Sequence, residues 1–392
     1  MTSWEWILVL LLIVVAAWLY WNIRRREDAD LSSRYVRNIP QEYLQGLNYV
    51  LNEQQDKAIE VFIRMLEVDS DTVETHLALG NLFRRRGEVD RAIRIHQNLI
   101  ARPTLSDEQR SLALLELALD YMRSGLLDRA ENLFKELANI GAYAVQANAE
   151  LLAIYQQEKD WNMAISVARR LQSLTGEDCS RVIAQFHCEL AEESAARGDA
   201  RETRDNTRKA LNIDPGCVRA SILEAHAAED EGRTKVALKC YKRIEKQDPD
   251  YLPEVIGPIM ECYRALDKLE DCRKYLQELV KNHAGFTPML YLSQLIEETS
   301  GKQAAITFIS DELRQRPTVR GVDKLLEYVL EMADGQIRDN LQTIKEMTDK
   351  LQKDNPLYRC NQCGFDAKLL HWQCPSCKQW SSIKPVFGVA GE

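Results

Sequence analysis

A repeat with a period near 34 residues runs from about residue 41 to residue 352, and it limits the folds open to this chain. Similar amphipathic stretches, such as KAIEVFIRML and RAIRIHQNLI, begin at six alanines: Ala58, Ala92, Ala130, Ala164, Ala237 and Ala305. Upstream, small residues stand three positions before aromatics, as Gly80 does before Phe83. Small residues let two helices approach closely, and aromatics fill the space beside them. The pattern therefore predicts helix pairs that bury their apolar faces against one another.

Glycine and proline mark the ends of the predicted helices. Glycines separate the two helices of a pair at Gly87, Gly125, Gly198 and Gly232, and prolines close repeats at Pro215, Pro249 and Pro317. We count eight repeats with first-helix starts near residues 39, 73, 111, 145, 184, 218, 253 and 286, and a final helix pair at about 320–352. Insertions around 104–110 and 175–180 lengthen two spacings. In the seventh repeat Cys272 takes the alanine position and no loop glycine is present.

This pattern resembles the tetratricopeptide repeat over residues 39–352. The resemblance implies a superhelix whose concave groove is lined by the first helix of each pair. Carried onto this sequence, the partner-binding residues would be Tyr43, Leu47, Asn81, Arg84, Leu115 and Leu119. Grooves that grip a C-terminal carboxylate place Lys and Asn there, so the apolar character of Tyr43 and Leu47 disfavours a chaperone-tail clamp. The alternative is that these residues contact the linker or a neighbouring subunit. An unrelated helical bundle also stays open.

Four cysteines near the C-terminus form two Cys-x-x-Cys pairs separated by ten residues. They are Cys360, Cys363, Cys374 and Cys377. Each pair can direct two thiolates at one ion, and two facing pairs make a closed tetrahedral sulfur site. Two disulfides or four inert thiols are the alternatives. The other six cysteines stand singly in amphipathic stretches, which is typical of a reducing compartment and disfavours disulfides. Residues 353–392 are therefore predicted to hold one Fe or Zn ion.

The two pairs resemble the knuckles of rubredoxin. Tyr358 stands two residues before the first cysteine, and the second pair reads Cys-Pro-x-Cys. The resemblance implies that electron transfer is one alternative function, although Lys378 replaces the glycine usual after the second pair. A closed four-sulfur site has no open position for substrate, which favours a structural role. His371, between the pairs, is interpreted as a surface residue or a support for the ligands rather than as a ligand.

Residues 1–23 are predicted to form a transmembrane anchor. The segment WILVLLLIVVAAWLYW carries no charge and has aromatic residues at both ends, and it nearly reaches the length of about 20 residues that a membrane crossing needs. The nearest arginines, Arg24, Arg25 and Arg26, follow it. By the positive-inside rule the N-terminus then lies outside and the bulk of the chain in the cytoplasm, joined by a linker at 24–38. A cleaved signal peptide or a peripheral helix is the alternative.

The composition argues against two functional classes. Asp and Glu number 60 against 51 Lys and Arg, and this acidic balance disfavours nucleic-acid binding. No zinc-protease, serine-hydrolase or phosphate-binding motif occurs in the sequence, and the six histidines are scattered. A non-enzymatic protein is therefore expected. The predicted fold class is all-α, with the anchor, the tetratricopeptide array and a small rubredoxin-like metal domain.

Anchor, repeats and metal domain in this order resemble the lipopolysaccharide assembly protein B family of Gram-negative bacteria. The resemblance implies a single-pass protein of the cell inner membrane and a regulatory adaptor role. Its partners would be the membrane-anchored ATP-dependent metalloprotease and the deacetylase that commits precursor to lipid A. Other lipopolysaccharide synthesis or transport proteins are further candidates, and the sequence leaves a homodimer open. Two alternatives stand beside this: a rubredoxin-like electron-transfer protein, and a general envelope-assembly scaffold without a proteolytic role.

Overall fold

The structure, a computed structural model, describes residues 41–68, 72–283 and 285–388. Over this part of the chain, helices extend as far as Asp354, and a small three-stranded ribbon follows. The chain divides into two compact units, of which the first ends at Ile154 and the second begins at Tyr155. The predicted anchor (1–23) and linker (24–38) lie outside the described residues. None of the helices in the described ranges combines the length and the hydropathy that crossing a membrane requires.

Among the described residues, seven helices begin in the first unit, and the seventh continues into the second. They are α1 (Gln41–Leu51), α2 (Gln55–Val68), α3 (Val73–Arg85), α4 (Val89–Ile100), α5 (Asp107–Arg123), α6 (Leu127–Leu137) and α7 (Ala144–Glu158). Successive helices from α1 to α6 pack on one another. The apolar sides of α1 to α4 meet in a core that contains Phe62, Leu79 and Phe83. The helix pairs therefore stack in sequence order, as expected for tetratricopeptide repeats.

The second unit continues the same arrangement. Its helices are α8 (Trp161–Thr175), α9 (Ser180–Ala196), α10 (Ala200–Ile213), α11 (Val218–Asp230), α12 (Thr234–Gln247), α13 (Leu252–Ala265), α14 (Leu269–Asn282), α15 (Phe286–Ser300), α16 (Lys302–Gln315), α17 (Val319–Leu330) and α18 (Gly335–Asp354). A short 3₁₀ turn, Pro249–Tyr251, precedes α13. The largest apolar core extends from α11 to α17.

The six alanines that mark the repeat are fully buried in helix contacts. All of them are 0% exposed, and so is Cys272 at the equivalent position of the seventh repeat. A small side chain is needed where the second helix of a pair crosses its neighbours. This confirms the assignment of these positions to helix packing.

The turns between paired helices explain the glycine pattern. Gly87, Gly125, Gly198 and Gly232 all have positive φ values, between 70° and 82°. The left-handed conformation ends the first helix and turns the chain back, and glycine adopts it without steric cost. In the seventh repeat, where no glycine is available, Asp267 takes this conformation with φ of 55°. Aspartate tolerates it better than most residues.

Two predicted helix starts were four residues too late. The third and fifth pairs begin at Asp107 and Ser180, not near 111 and 184. Ser106 caps α5: its side chain accepts a hydrogen bond from the Gln109 N–H, and the Gln109 side chain accepts one from the Ser106 N–H. This capping box starts the helix inside residues 104–110, where the spacing predicts an insertion.

Gly80 packs directly against His96. A Cβ at this position would clash with His96 Nε2. His96 cannot easily move away, because its Nδ1 lies 2.6 Å from Asp120 Oδ2, and Asp120 Oδ1 accepts a hydrogen bond from Arg84 at 2.8 Å. His96 and Asp120 are both 0% exposed.

We expect Gly80→Ala to lower the free energy of unfolding of the first unit by about 2 kcal/mol. Overpacking against His96 outweighs the gain of up to about 1 kcal/mol in helix propensity. Urea denaturation followed by circular dichroism measures the change. Gly141→Ala, in a turn where a Cβ meets nothing within 4 Å, is the control for an added methyl group without overpacking. A Gly80→Ala variant that is more stable than the unchanged protein would show that His96 relaxes without cost.

Candidate metal centre

The C-terminal ribbon is built from three short antiparallel strands and two knuckles. Strand β1 (Tyr358–Cys360) lies between β2 (Asp366–Ala367) and β3 (Ile383–Pro385), with Cys360 opposite Ile383. The first Cys-x-x-Cys pair connects β1 to β2. The second pair turns between Gln373 and Trp380, which form an isolated antiparallel bridge.

The two knuckles have equivalent backbone hydrogen bonds. In the first, the Cys360 N–H donates to Phe365 O and the Gly364 N–H donates to Cys360 O, both at 2.9 Å. In the second, the Cys374 N–H donates to Gln379 O and the Lys378 N–H donates to Cys374 O, also at 2.9 Å. Gly364 and Lys378 occupy the same left-handed position, with φ of 75° and 60°. The lysine that departs from the rubredoxin pattern therefore keeps the knuckle geometry.

Exchanging the residue type at these two positions should change stability in opposite directions. We expect Gly364→Ala to destabilise the ribbon by about 1 kcal/mol, because a Cβ meets nothing within 4 Å and only the backbone penalty remains. Lys378→Gly should stabilise it by about 0.5 kcal/mol. Glycine removes the steric penalty of the left-handed conformation, and the larger entropy of glycine in the unfolded chain offsets part of this gain. Thermal unfolding of the ribbon measures both changes. A loss of stability in Lys378→Gly would mean that the lysine side chain itself supports the knuckle.

The four sulfurs form one compact group that fits a tetrahedral metal ion. All four Sγ atoms lie within 4.8 Å of one another. The Cys360–Cys377 and Cys363–Cys374 sulfurs are each 3.7 Å apart. A tetrahedral ion with metal–sulfur bonds of about 2.3 Å places its ligands about 3.8 Å apart, whereas a disulfide requires about 2.05 Å. The four residues are free cysteines, and their chemistry suits a metal ion.

The surroundings of Cys360 favour its thiolate form. Burial opposes ionisation, but the Ser382 hydroxyl, 3.3 Å from Cys360 Sγ, and the backbone N–H groups of Cys363 and Gln362 lower the pKa of Cys360 to about 6. Cys360 is therefore largely a thiolate near neutral pH and can bind a cation directly. Metal binding displaces the protons of the other three thiols. His371 is exposed and stands outside this sulfur group.

The ribbon packs on the helices of the second unit around a buried arginine. Arg219 on α11 is 3% exposed, and its guanidinium lies 2.8 Å from both Glu189 and Glu192. Its Cζ is 5.9 Å from the ring centroid of Trp372 and 6.0 Å from that of Trp380. Two ribbon tryptophans thus share one cation of the repeats, an arrangement that is strengthened by desolvation.

Aromatic residues of the repeats complete the contact with these tryptophans. Phe186 lies edge-on to Trp380 at 5.8 Å, and Trp161 does so at 6.2 Å. Tyr251 stacks on Trp372 at 5.5 Å. Centroid separations in this range are favourable for ring pairs. The ribbon therefore continues the apolar core of the second unit.

Polar contacts surround the aromatic centre of the interface. Lys384 Nζ lies 2.7 Å from both Asp248 Oδ2 and Asp250 Oδ2. Burial lowers the pKa of Lys384, but the two carboxylates raise it by more, so the net pKa is above its usual range. Further hydrogen bonds join Tyr358 to Glu254, Tyr251 to Ile383 O, Gln185 to Ser381, and Trp380 to Gln156.

The predicted partner-binding residues fall into different environments of the first unit. Arg84 and Leu119 line one cleft of about 670 Å³, together with Gln55, Arg85, Met122, Arg123 and Glu150. Arg84 is held in place by Glu116 and Asp120. Leu115 is 3% exposed and is part of the core. Tyr43 packs against Phe62 at 5.7 Å, while Leu47 and Asn81 are half-buried.

Sequence reasoning missed the residues that dock the ribbon. In the sequence, Arg219 looks like any other helical arginine, and no local pattern indicates that carboxylates and indole rings contact it. Trp372 and Trp380 offered a signal, because two tryptophans in a small ribbon with few apolar residues need a surface to cover them. Lys384 and the aspartates of the Asp-Pro-Asp segment carry no such signal.

Helix pairs with a terminal four-cysteine ribbon define a tetratricopeptide-repeat protein with a rubredoxin-type metal site. The family model described as "Rubredoxin metal binding domain" matches residues 358–385, and the one described as "Tetratricopeptide repeat" matches residues 75–110. Lipopolysaccharide assembly protein B of Escherichia coli K12 is 39% identical over 386 residues, which is 98% of this chain and 99% of that protein. The Haemophilus influenzae protein of the same name is 36% identical over 97% of this chain and 98% of its own length. The chain belongs to the lipopolysaccharide assembly protein B family.

Proposed function

We propose that this protein is a non-enzymatic adaptor that regulates lipopolysaccharide biosynthesis. In this proposal it modulates the degradation of the lipid A-committing deacetylase by the membrane-anchored ATP-dependent metalloprotease. Other lipopolysaccharide synthesis enzymes are further candidates for recruitment. The observation that carries the proposal is the family relationship, which extends over 98% of the chain and includes both the repeats and the ribbon. Relatives that carry the name of an assembly protein support a role in this pathway.

A membrane tether fits this role. We propose that residues 1–23 anchor the protein in the cell inner membrane, with the N-terminus periplasmic and the repeats cytoplasmic. Confinement to the surface that holds a membrane protease raises the effective concentration of the two proteins without adding a contact. The cleft that contains Arg84 and Leu119 is one candidate surface for a substrate or protease segment, because two exposed arginines, Arg85 and Arg123, stand beside apolar Leu119 and Met122.

The ion, Zn or Fe, is proposed to stabilise the ribbon. Four thiolates satisfy a tetrahedral ion and leave no position for substrate. The ribbon carries Trp372 and Trp380, which reach the repeats through Arg219. Metal binding would therefore maintain a surface of the second unit as well as the ribbon itself. Cys363 is exposed, which is the feature that favours the electron-transfer alternative.

The decisive experiment is an affinity pull-down from membranes that compares three forms of the protein. These are the intact chain, a Cys374→Ser, Cys377→Ser variant, and a chain without residues 1–23. We expect the intact chain to recover the protease and the deacetylase, and both altered forms to recover less. The half-life of the deacetylase should change in parallel. Many weak partners with an unchanged half-life would contradict the proposal and favour a general scaffold.

Analysis of the purified protein also distinguishes zinc from iron. A colourless protein with one zinc per chain supports a structural ion. A coloured iron protein that bleaches reversibly on reduction would support electron transfer instead. Elemental analysis and a visible spectrum before and after dithionite make this distinction.

A further inference from the structure

Two cysteines outside the ribbon bring their thiols into contact within the second unit. Cys188 lies on α9 and Cys217 directly precedes α11, and their Sγ atoms are 3.8 Å apart. The two side chains are 0% and 2% exposed, and both are free thiols. A disulfide needs about 2.05 Å, so the sulfurs would have to approach by about 1.8 Å to form one.

The two thiols have different surroundings. Cys217 is the N-cap residue of α11, and its sulfur lies 3.5 Å from the Gln185 side-chain amide. The hydrogen bond from Cys188 and the Ala220 N–H lower the pKa of Cys217 in spite of burial, while burial raises that of Cys188. Cys217 is thus suited to react as a thiolate, and Cys188 to resolve the product.

Other buried thiols of the same unit lack these features. Cys240 lies 3.4 Å from Glu224, and Cys262 lies 3.5 Å from Glu229. Burial and the nearby carboxylate raise the pKa of Cys240 to about 11 and that of Cys262 to about 12. Thiols held neutral in this way react slowly with peroxide, because the thiolate is the form that attacks it. They provide an internal comparison for the Cys188–Cys217 pair.

The docked ribbon lies next to this pair. Gln185, which contacts Cys217, also donates a hydrogen bond to Ser381 of the ribbon at 3.0 Å, and it is itself 3% exposed. Arg219, two residues after Cys217, contacts the rings of both ribbon tryptophans through its guanidinium. Departure of the ribbon would uncover Gln185 and open a path to the Cys217 sulfur.

We propose that Cys188 and Cys217 form a redox site that the docked metal ribbon protects, and that hydrogen peroxide oxidises the pair when the ribbon leaves. The Cys217 thiolate attacks one peroxide oxygen, the O–O bond breaks and hydroxide leaves, which gives a sulfenic acid. The Cys188 sulfur then attacks the Cys217 sulfur and the S–O bond breaks. The departing hydroxyl takes the Cys188 proton and leaves as water. The two sulfurs lose two electrons, and the peroxide gains them.

The test exposes the full-length, metal-loaded protein to hydrogen peroxide and follows the Cys188–Cys217 linked peptide by mass spectrometry. Two independent treatments release the ribbon: chelation of the metal, and Lys384→Glu, which places a third carboxylate beside Asp248 and Asp250. We expect each to accelerate disulfide formation at least about tenfold, because reaction requires solvent access. Lys350→Glu, an exposed lysine on α18, is the matched control and should leave the rate unchanged.

A second variant identifies the attacking sulfur. In Cys188→Ser the disulfide cannot form, and dimedone should trap the sulfenic acid on Cys217 after the ribbon is released. The proposal is overturned if the linked peptide forms at the same rate with the ribbon docked and released. It is also overturned if Cys217 is oxidised no faster than Cys240 or Cys262.

Discussion

Replacing Cys374 with serine should abolish tight metal binding and unfold the ribbon. Cys374 is 0% exposed and its sulfur lies 3.7 Å from Cys363 Sγ. A neutral hydroxyl cannot replace a buried thiolate, and in so small a domain metal binding supplies most of the folding free energy. We expect metal affinity to fall by more than about 100-fold, beyond the range that residues supporting metal ligands contribute. Competition with a chromogenic chelator measures the affinity.

The fluorescence of the protein reports the structural consequence of the same change. Trp372 and Trp380 leave Tyr251, Phe186 and Arg219 when the ribbon unfolds, so their emission should shift to longer wavelength. Ser376→Ala is the matched control, since Ser376 is exposed in the same knuckle and should leave affinity and emission unchanged. A Cys374→Ser protein that keeps native emission without metal would show that the docking contacts alone fold the ribbon.

Replacing Arg219 with alanine should have the second largest effect. The change removes the cation that two carboxylates and two indole rings share. Removing one partner of a buried ion pair commonly costs about 3–5 kcal/mol. Here Glu189 and Glu192 are 23% and 43% exposed, so water partly compensates and we expect a loss of about 2–3 kcal/mol. Urea denaturation followed by tryptophan emission measures it.

Arg243→Ala is the control for charge and size. Arg243 also binds a carboxylate, Glu224 at 2.6 Å, but both side chains are about one-third exposed. An exposed pair contributes about 1 kcal/mol or less. If Arg219→Ala were no more destabilising than Arg243→Ala, the contact between the ribbon and the repeats would not depend on this cation.

The parts of this fold that sequence predicts are those that neighbouring residues determine. Ala92 and Ala130 recur because each helix pair repeats the same crossing, and Gly87 and Gly125 recur because each turn needs the same left-handed residue. Local spacing likewise indicated the sulfur group, since two Cys-x-x-Cys turns can converge on one ion. Asp267 shows the limit of this reasoning, because its turn forms without the expected glycine.

Such local patterns do not predict the interface between the ribbon and the repeats. Gln156 accepts a hydrogen bond from Trp380, a residue 224 positions later in the chain. Lys384 binds aspartates more than 130 positions earlier. Nothing in the local sequence of either partner specifies these pairs, because they depend on how the stacked repeats place α7, α9 and α11. The two tryptophans predict that some surface covers them, but not which one.

Because Gln156 and Trp380 are far apart in the sequence, they leave the ribosome at different times during synthesis. A ribosome adds about 5–20 residues per second, so the repeats that contain Gln156 and Trp161 leave it roughly 10–45 s before the ribbon does. Throughout that interval the aromatic face of the second unit has no cover. A chain that stops before Trp380 keeps this face exposed, whereas a chain that extends past the ribbon covers it once residues 358–385 have folded around the ion. The distance in sequence thus makes closure of this face a marker that the ribbon has been synthesised and folded, and this marker is available to chaperones and proteases.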